Sequence, residues 1–412
     1  MGGEKLSEEP SCSASYMTPW FTIAVMFALY ILLLLWFCKN GKKICMPTPD
    51  SLFPYQKRLK ELKKELSHLL LEDVFIELTD CKLGQGSVGF VFKGFVYPNS
   101  QNRYKHKTAA AIKMSYPLPM KSMGLLEEAS RLNRLAHPNI VQLLGVSQLS
   151  FSALRPMLVI EWLPGGSLAE FFREKTRVTD YLLSTTSYLL QIPDDDVVVY
   201  VRDIVRILQD VASALQYLHE MRDTDGSELT HRDVAARNVL LTSSDLTKCS
   251  AKLGDFGLPI DFGPRLPVPW LPPEIVGALD RPSRHRPEAD TWMFGVLAWE
   301  CATLGAEPHF QRSLEEIRTV LQQPDRGFPC PPSCPAIFYD LIQSCLTDSH
   351  RRIVFAGPSE STVSVLFRLK QLEYFFANSQ HSFDSMPNIS NCTCSSHRCR
   401  LPLPSFNHSN HI

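Results

Sequence analysis

The residues of this sequence that could do chemistry are concentrated in His231 to Asn238, which reads HRDVAARN and leads into the apolar run Val239-Leu240-Leu241. An Asp and an Asn stand five residues apart here, on a predicted loop before a short strand. This spacing can place the Asp233 carboxylate beside a substrate hydroxyl and the Asn238 amide oxygen on a metal ion. An HRD triplet alone would favour a charged surface loop, but the full eight residues favour a reactive site.

The stretch resembles the catalytic loop of protein kinases, and its Ala235-Ala236-Arg237 segment resembles the tyrosine-specific version. The resemblance implies that Asp233 orients the acceptor hydroxyl and takes its proton, with Arg237 as a further catalytic residue. It also implies that Asn238 holds Mg²⁺. Serine/threonine kinases usually carry a Lys two residues after the Asp, so the resemblance favours tyrosine as the acceptor.

A glycine-rich stretch, Gly84-Gln85-Gly86-Ser87-Val88-Gly89-Phe90-Val91, lies between strand-like segments. Such glycines can serve only the geometry of a tight turn. Here, however, Ala111-Ile112-Lys113 follows, as in kinases, where the loop covers the ATP phosphates and the Lys contacts them. The ATP-binding residues implied by the resemblance are Gly84, Gln85, Gly86, Ser87, Gly89, Val91, Ala111, Lys113, Glu161, Leu163 and Leu240.

Two acidic residues complete the predicted site. Glu128, in a helical segment before His137, is the expected ion-pair partner of Lys113 and a better candidate than its neighbour Glu127. Two solvated acids on a helix face are the alternative. Asp255 opens the triplet Asp255-Phe256-Gly257 and is expected to bind Mg²⁺ beside the ATP phosphates.

The elements that must position these residues can also be recognised. The apolar run 157–163 predicts either an ordinary core strand or, by resemblance, the last N-lobe strand and the hinge, where Glu161 to Leu163 offer backbone hydrogen bonds to adenine. Residues 290–300 resemble a buried helix on which Asp290 anchors the catalytic loop. Glu274 and Arg352 are expected to form a structural ion pair. A stripe on a predicted core helix consists of Val205, Leu208, Val211, Leu215 and Leu218.

The stretch between Asp255 and Glu274 departs from the family. It is short, contains no Tyr, Ser or Thr, and has Pro259 where tyrosine kinases usually have Ala. We expect no activation by phosphorylation there, and Asp261 could pair with Arg232 in place of a phosphate. Pro269 replaces the basic residue of the usual peptide platform, which leaves a pseudokinase scaffold open as the alternative function.

An apolar run from Trp20 to Cys38 is long enough to cross a bilayer as a helix. Lys39, Lys42 and Lys43 follow it, so the positive-inside rule predicts a single-pass anchor with the N-terminus outside and the remainder cytoplasmic. A buried helix or a signal peptide is the alternative. We expect the plasma membrane to hold this anchor.

Leucines recur at helical spacing after this run, and two interpretations are open. The helix could pack on the following domain, or it could pair two copies of the chain as a homodimer. The stripe consists of Leu59, Leu62, Leu66, Leu69 and Leu70.

The whole sequence of 412 residues, with net charge −1 and 44% hydrophobic residues, favours neither nucleic-acid binding nor wholesale disorder. We expect an α+β, bilobal protein kinase fold with a β-rich N-lobe and a helical C-lobe, preceded by one transmembrane helix. It would be a membrane-anchored tyrosine kinase that uses ATP and Mg²⁺ on protein tyrosines, similar to the serine/threonine/tyrosine kinase 1 group of single-pass kinase-like proteins. The expected boundaries are 1–19 extracellular, 20–38 transmembrane, 39–72 juxtamembrane, 73–376 kinase domain and 377–412 disordered tail.

Overall fold

The computed structural model describes residues 23, 25–32, 49–86, 88–97, 107–151, 156–175, 198–222, 226–256, 266–279, 285–355 and 364–383. The chain divides into two compact units, residues 1–61 and 62–412. In the first unit, residues 25–32 are helical and their apolar side chains are exposed. Across the described ranges, no helix is both long and apolar enough to span a bilayer. Ten of the nineteen residues of the predicted span 20–38 lie outside them.

The second unit contains a six-stranded sheet with the order β1-β5-β6-β4-β3-β2. The first strand pairs in parallel with β5, and the other neighbours are antiparallel. A separate two-stranded ribbon pairs β7 with β8. The strands are β1 Leu70–Leu71, β2 Ile76–Gln85, β3 Gly89–Val96, β4 Thr108–Ser115, β5 Leu143–Ser147, β6 Met157–Glu161, β7 Val239–Leu241 and β8 Ala251–Leu253.

The core of the larger sheet explains where Lys113 lies. Side chains alternate between the two faces of a strand, so Ala110 and Ile112 on β4 share one face. They pack with Val159 of β6 in a fully buried cluster. Lys113 follows Ile112 and therefore lies on the opposite face, paired in register with Val91 of β3.

The helical part is built around one helix that is buried from Ala289 to its end at Ala302. The predicted stripe lies on the helix Val201–Glu220 and is confirmed, because its five residues are at most 2% exposed. A further helix covers residues 168–175, after Gly166 turns the chain with φ 68°. The labelled helices are α1 Pro49–Glu65, α2 Pro119–Asn133, α3 Val201–Glu220, α4 Pro273–Val276, α5 Pro287–Ala302, α6 Leu314–Val320, α7 Ala336–Cys345 and α8 Val365–Phe376.

Packed residues are also found on both sides of the range 73–376. Leu62 and Leu66 have no exposed surface, so these two leucines are used inside the unit and are not available to pair two copies of the chain. At the other end, Val201 donates to the carbonyl of His381 at 3.0 Å, and Phe383 is 4% exposed against Phe338. Residues 377–383 are therefore part of the packed structure, because an aromatic side chain anchors them.

Candidate active site

Lys113 connects the two acidic residues that the sequence assigned to the site. Its Nζ donates to both carboxylate oxygens of Glu128 at 2.8 Å and to Asp255 Oδ1 at 2.8 Å. Glu128 is 2% exposed and reaches Lys113 from α2, which confirms the predicted pairing. The Asp255 side chain is 48% exposed, so its carboxylate is open to solvent on one side. Its backbone lies in the left-handed region, with φ 60°.

Charge stabilises this arrangement. Burial lowers the pKa of Lys113, but Asp255 and Glu128 outweigh it and hold the pKa above its ordinary value. Burial raises the pKa of Glu128, and Lys113 offsets part of that effect. Lys113 in turn lowers the pKa of Asp255. At neutral pH Lys113 is therefore charged, and Asp255 is an ionised carboxylate suited to a cation.

The Asp233 carboxylate is held by two neighbours on its own loop. Asn238 Nδ2 donates to Asp233 Oδ2 at 2.9 Å and to the Asp233 carbonyl at 2.7 Å. Arg237 Nη2 donates to Asp233 Oδ1, and the Arg237 guanidinium stacks over the Trp270 ring at 4.2 Å. Because both donors of the Asn238 amide are used, its oxygen is the atom left for a metal ion.

The backbone of the loop is fixed from α5. Asp290 is fully buried and accepts from the backbone N–H groups of His231 at 2.7 Å and Arg232 at 2.9 Å. Burial raises the pKa of Asp290, but hydrogen bonding from His219 and the loop holds it below its ordinary value. The anchoring role predicted for Asp290 is confirmed. Arg232 adopts φ 72°, a backbone strain that these bonds maintain.

His231 joins the catalytic loop to the segment after β8. Burial lowers its pKa, so the imidazole is neutral and its Nε2 pairs with the Gly254 carbonyl at 3.0 Å. The ring packs edge-on against Phe256 with centroids 4.7 Å apart. Arg131 of α2 donates to the Phe256 carbonyl at 2.8 Å. Gly257 and the predicted pair partner Asp261 lie outside the described residues.

The glycine-rich stretch forms the hairpin between β2 and β3. Gly86 N–H donates to the Gly89 carbonyl at 2.9 Å, and Ser87 lies outside the described residues. A Cβ at Gly89 would lie 1.8 Å from the Met114 carbonyl oxygen, so this glycine is required by packing against β4. A Cβ at Gly84 or Gly86 would meet no described atom within 4 Å. Space beside these two glycines is consistent with a bound phosphate group.

The remaining residues predicted to bind ATP lie in or next to the two sheets. Ala111 of β4 pairs with Ile160 of β6, and Leu240 pairs with Lys252 in the small ribbon. The Glu161 side chain accepts from Lys252 Nζ at 2.7 and 2.9 Å. The sequence did not predict this ion pair, because ninety-one residues separate its two members. Gln85 ends β2, Val91 lies in β3 and Leu163 follows β6, and the last two are partly buried.

The role of Glu300 was not predicted from the sequence, although this residue is a lone charge in the apolar stretch of α5. Its Oε2 accepts from the Ala236 N–H at 3.0 Å, and the residue is 6% exposed. Burial raises its pKa to about 7. The only signal in the sequence was an acidic residue within an otherwise apolar helical stretch.

The expected ion pair of Glu274 with Arg352 is present, with Arg352 Nη2 and Glu274 Oε2 2.8 Å apart.

A bound Mg²⁺ would be held by Asp255 and by the Asn238 amide oxygen. Across the described ranges, no group of three or more His, Cys, Asp and Glu side chains could hold one. Asp255 and the Asn238 oxygen together supply the small oxygen set with which proteins bind Mg²⁺ when phosphates complete its shell. The donor set therefore fits Mg²⁺ bound together with a nucleotide.

Comparisons with known proteins agree with this geometry. Residues 78–357 match the family described as protein tyrosine and serine/threonine kinase. The chain is also 44% identical over 392 residues to "Protein nipi-4" of Caenorhabditis elegans, and the match covers 95% of both chains. A protein kinase domain is typical of phosphotransfer to proteins. The chain belongs to the protein tyrosine and serine/threonine kinase family.

Proposed function

We propose that this protein is a tyrosine kinase that transfers the γ-phosphoryl group of ATP to protein tyrosines. The observation that carries the proposal is the contact of Lys113 with both Glu128 and Asp255. Kinase catalysis depends on positioning and charge, and it needs both of these acids in place. Bound Mg²⁺ would neutralise the phosphates and would be held by Asp255 and Asn238.

The acceptor side of the reaction belongs to Asp233. It accepts the proton of the tyrosine hydroxyl as the new oxygen–phosphorus bond forms and the bond from the γ-phosphorus to its bridging oxygen breaks, with ADP as the leaving group. Each Asp233 oxygen has a second lone pair beyond its bond to Arg237 or Asn238. The carboxylate can therefore receive that proton without losing its orientation.

Tyrosine specificity is supported by the Arg237 side chain. It connects Asp233 to the Trp270 ring, which lies in the 3₁₀ helix Val268–Trp270 beside the loop. These contacts place the Trp270 ring near the Asp233 base, where the ring of an acceptor tyrosine would pack. Pro269 in the same helix carries neither a basic side chain nor a backbone donor, and for that reason a nucleotide-binding scaffold is the second candidate function.

The test uses the purified full-length chain with Mg²⁺ and ATP, and three peptides that differ only in carrying Tyr, Ser or Phe. We expect phosphate on the Tyr peptide, and a decrease of about 10²–10⁴-fold in Asp233→Asn, because a general base contributes about that factor. Asp340→Asn, an exposed Asp on α7, is the matched control and should retain full activity.

Three results would contradict the proposal in different ways. Phosphate on the Ser peptide alone would show the other acceptor class. Equal activity in wild type and Asp233→Asn would show a contaminating kinase. Binding of ATP without transfer to any peptide would establish the scaffold.

We also propose that the run 20–38 anchors the protein as a single-pass membrane protein, most simply in the plasma membrane and as in the serine/threonine/tyrosine kinase 1 group that it resembles. The support is the apolar length followed by Lys39, Lys42 and Lys43. Alkaline carbonate should leave the chain in the membrane pellet. Release into the supernatant, with a known single-pass protein retained, would refute the anchor.

A further inference from the structure

The ten residues from Leu62 to Leu71, named here the N-terminal strap, include the first strand of the sheet and contact the helix that carries Glu128. The strap contains the last turn of α1, a 3₁₀ helix over Ser67–Leu69, and strand β1. Leu62 and Leu66 are fully buried, and Leu66 N–H donates to the Leu62 carbonyl at 2.9 Å. The strap is therefore a packed part of the domain.

Two hydrogen bonds connect the strap to α2. Ser130 Oγ donates to Glu65 Oε1 at 2.7 Å, and His68 Nε2 pairs with Asn133 Oδ1 at 3.1 Å. Ser130 and Asn133 are three residues apart and so share one face of the helix. The Ser130 side is buried, since that residue is 5% exposed.

The face that meets the strap differs from the face that meets Lys113. Two positions along an α-helix correspond to a rotation of about 200°, so Glu128 and Ser130 lie on nearly opposite sides of α2. Glu128 connects α2 to the sheet through Lys113, and Ser130 connects it to the strap. The helix is held from both sides.

The strap itself is fixed to the sheet. Its strand β1 pairs in parallel with β5, with Leu70 opposite Val146. The Leu71 side chain fills the space beside Gly145, where an added Cβ would lie 2.4 Å from Leu71 Cδ1. Movement of α2 away from the sheet would therefore have to break the strap's contacts or displace a strand.

We propose that the strap is a positioning element for the kinase reaction: Glu65, through Ser130, keeps α2 where Glu128 reaches Lys113. Glu65 acts through Ser130 and α2, at a distance from the reacting atoms. The inference rests on the proposed function only for its effect on activity. Its effect on α2 exists whether or not the chain transfers phosphate.

The experiment compares the full-length wild type with Glu65→Ala, Glu65→Gln and Glu61→Ala. Gln retains an acceptor oxygen for Ser130, and Glu61, one turn earlier on α1, has a side chain that is 49% exposed. Amide hydrogen exchange is followed in α2 and in α5, and KM for ATP and kcat are measured separately.

We expect exchange in α2 to become about tenfold faster in Glu65→Ala, because the acceptor of the Ser130 hydroxyl is lost and opening is local. Exchange in α5 should not change, and KM for ATP should rise by more than kcat falls, since Lys113 loses its fixed partner before chemistry begins. Glu65→Gln and Glu61→Ala should match wild type.

Ser130→Ala supplies an independent test of the same bond. Combined with Glu65→Ala, it should add nothing to the change in α2 exchange, because both substitutions remove one interaction. Unchanged α2 exchange in Glu65→Ala, equal acceleration in α5, or fully additive effects would each overturn the proposal. If wild type transfers no phosphate, the exchange data still decide it, so failure of the strap and failure of the kinase are distinguishable.

Discussion

Lys113 carries the charge on which both acids of the site depend. Its side chain is 12% exposed, and Glu128 is almost completely shielded from solvent at 3%. Removal of one partner from a buried ion pair is costly, because the remaining charge loses both its partner and its water. Asp255 is more exposed, so its contribution is screened and smaller.

We predict that Glu128→Gln lowers the free energy of unfolding by about 2–3 kcal/mol. That is less than the roughly 3–5 kcal/mol of a fully orphaned partner, because Asp255 still contacts Lys113. Urea unfolding measures the change. Glu127→Gln, at the more exposed neighbouring position, should cost less than about 1 kcal/mol. Equal costs at the two positions would contradict the assignment of Glu128.

Helix α5 fixes the catalytic loop at two points. Asp290, near its start, accepts two backbone N–H groups, and Glu300, near its end, accepts a third from Ala236. A fully buried helix is a rigid base for these bonds, since it packs on all sides. The two acids differ in charge state: the pKa of Asp290 is lowered, whereas burial raises that of Glu300 to about 7, with Asp233 adding to the rise and Arg237 opposing it.

This difference predicts a pH dependence that belongs to Glu300. An unfolded Glu ionises near 4.5, and the folded one ionises near 7. Between these values the folded state binds more protons, so the free energy of unfolding falls as pH rises and levels off above pH 7. The shift corresponds to roughly 3 kcal/mol.

Glu300→Gln cannot ionise and should lack this decline, while its amide oxygen can still accept from Ala236. Urea unfolding at pH 5 and pH 8 should show a smaller loss of stability in this variant than in wild type. Glu315→Gln, whose carboxylate is 77% exposed, is the control and should keep the wild-type pH dependence. The same pH slope in wild type and Glu300→Gln would show that the buried carboxyl does not titrate in this range.

Two segments, one before the sheet's second strand and one after α8, pack against the rest of the domain. The strap completes one edge of the sheet, and residues 379–383 pair with the start of α3 through Tyr200 and Ser382. Phe383 packs on Phe338 of α7 with ring centroids 5.4 Å apart. Each end uses a few apolar anchors, because a terminal segment stays ordered only where it is tied down.

Phe383→Ala should therefore lower the free energy of unfolding by about 3–5 kcal/mol, as expected for loss of a buried aromatic ring. Phe375→Ala, on the nearby α8, is the matched control. That side chain is 64% exposed and its loss should cost less than about 0.5 kcal/mol. Thermal or urea unfolding of the full-length variants measures both. Equal losses would mean that the segment after α8 does not stabilise the domain.

The sequence by itself determined the order of the motifs and the core helices, and it supplied the candidate site residues, because these depend on local spacing. Helical periodicity identified α3, and the HRDVAARN stretch identified Asp233 and Asn238. Family resemblance even selected Glu128 over Glu127.

Only the tertiary structure decided the contacts that depend on distant parts of the chain. Lys113 and Asp255 are 142 residues apart, and Glu65 and Ser130 are separated by 65. No local pattern encodes which acid will meet which donor, since that depends on how the sheet and the helices pack. For the same reason the lone charge of Glu300 had no visible role until Ala236 was placed against it.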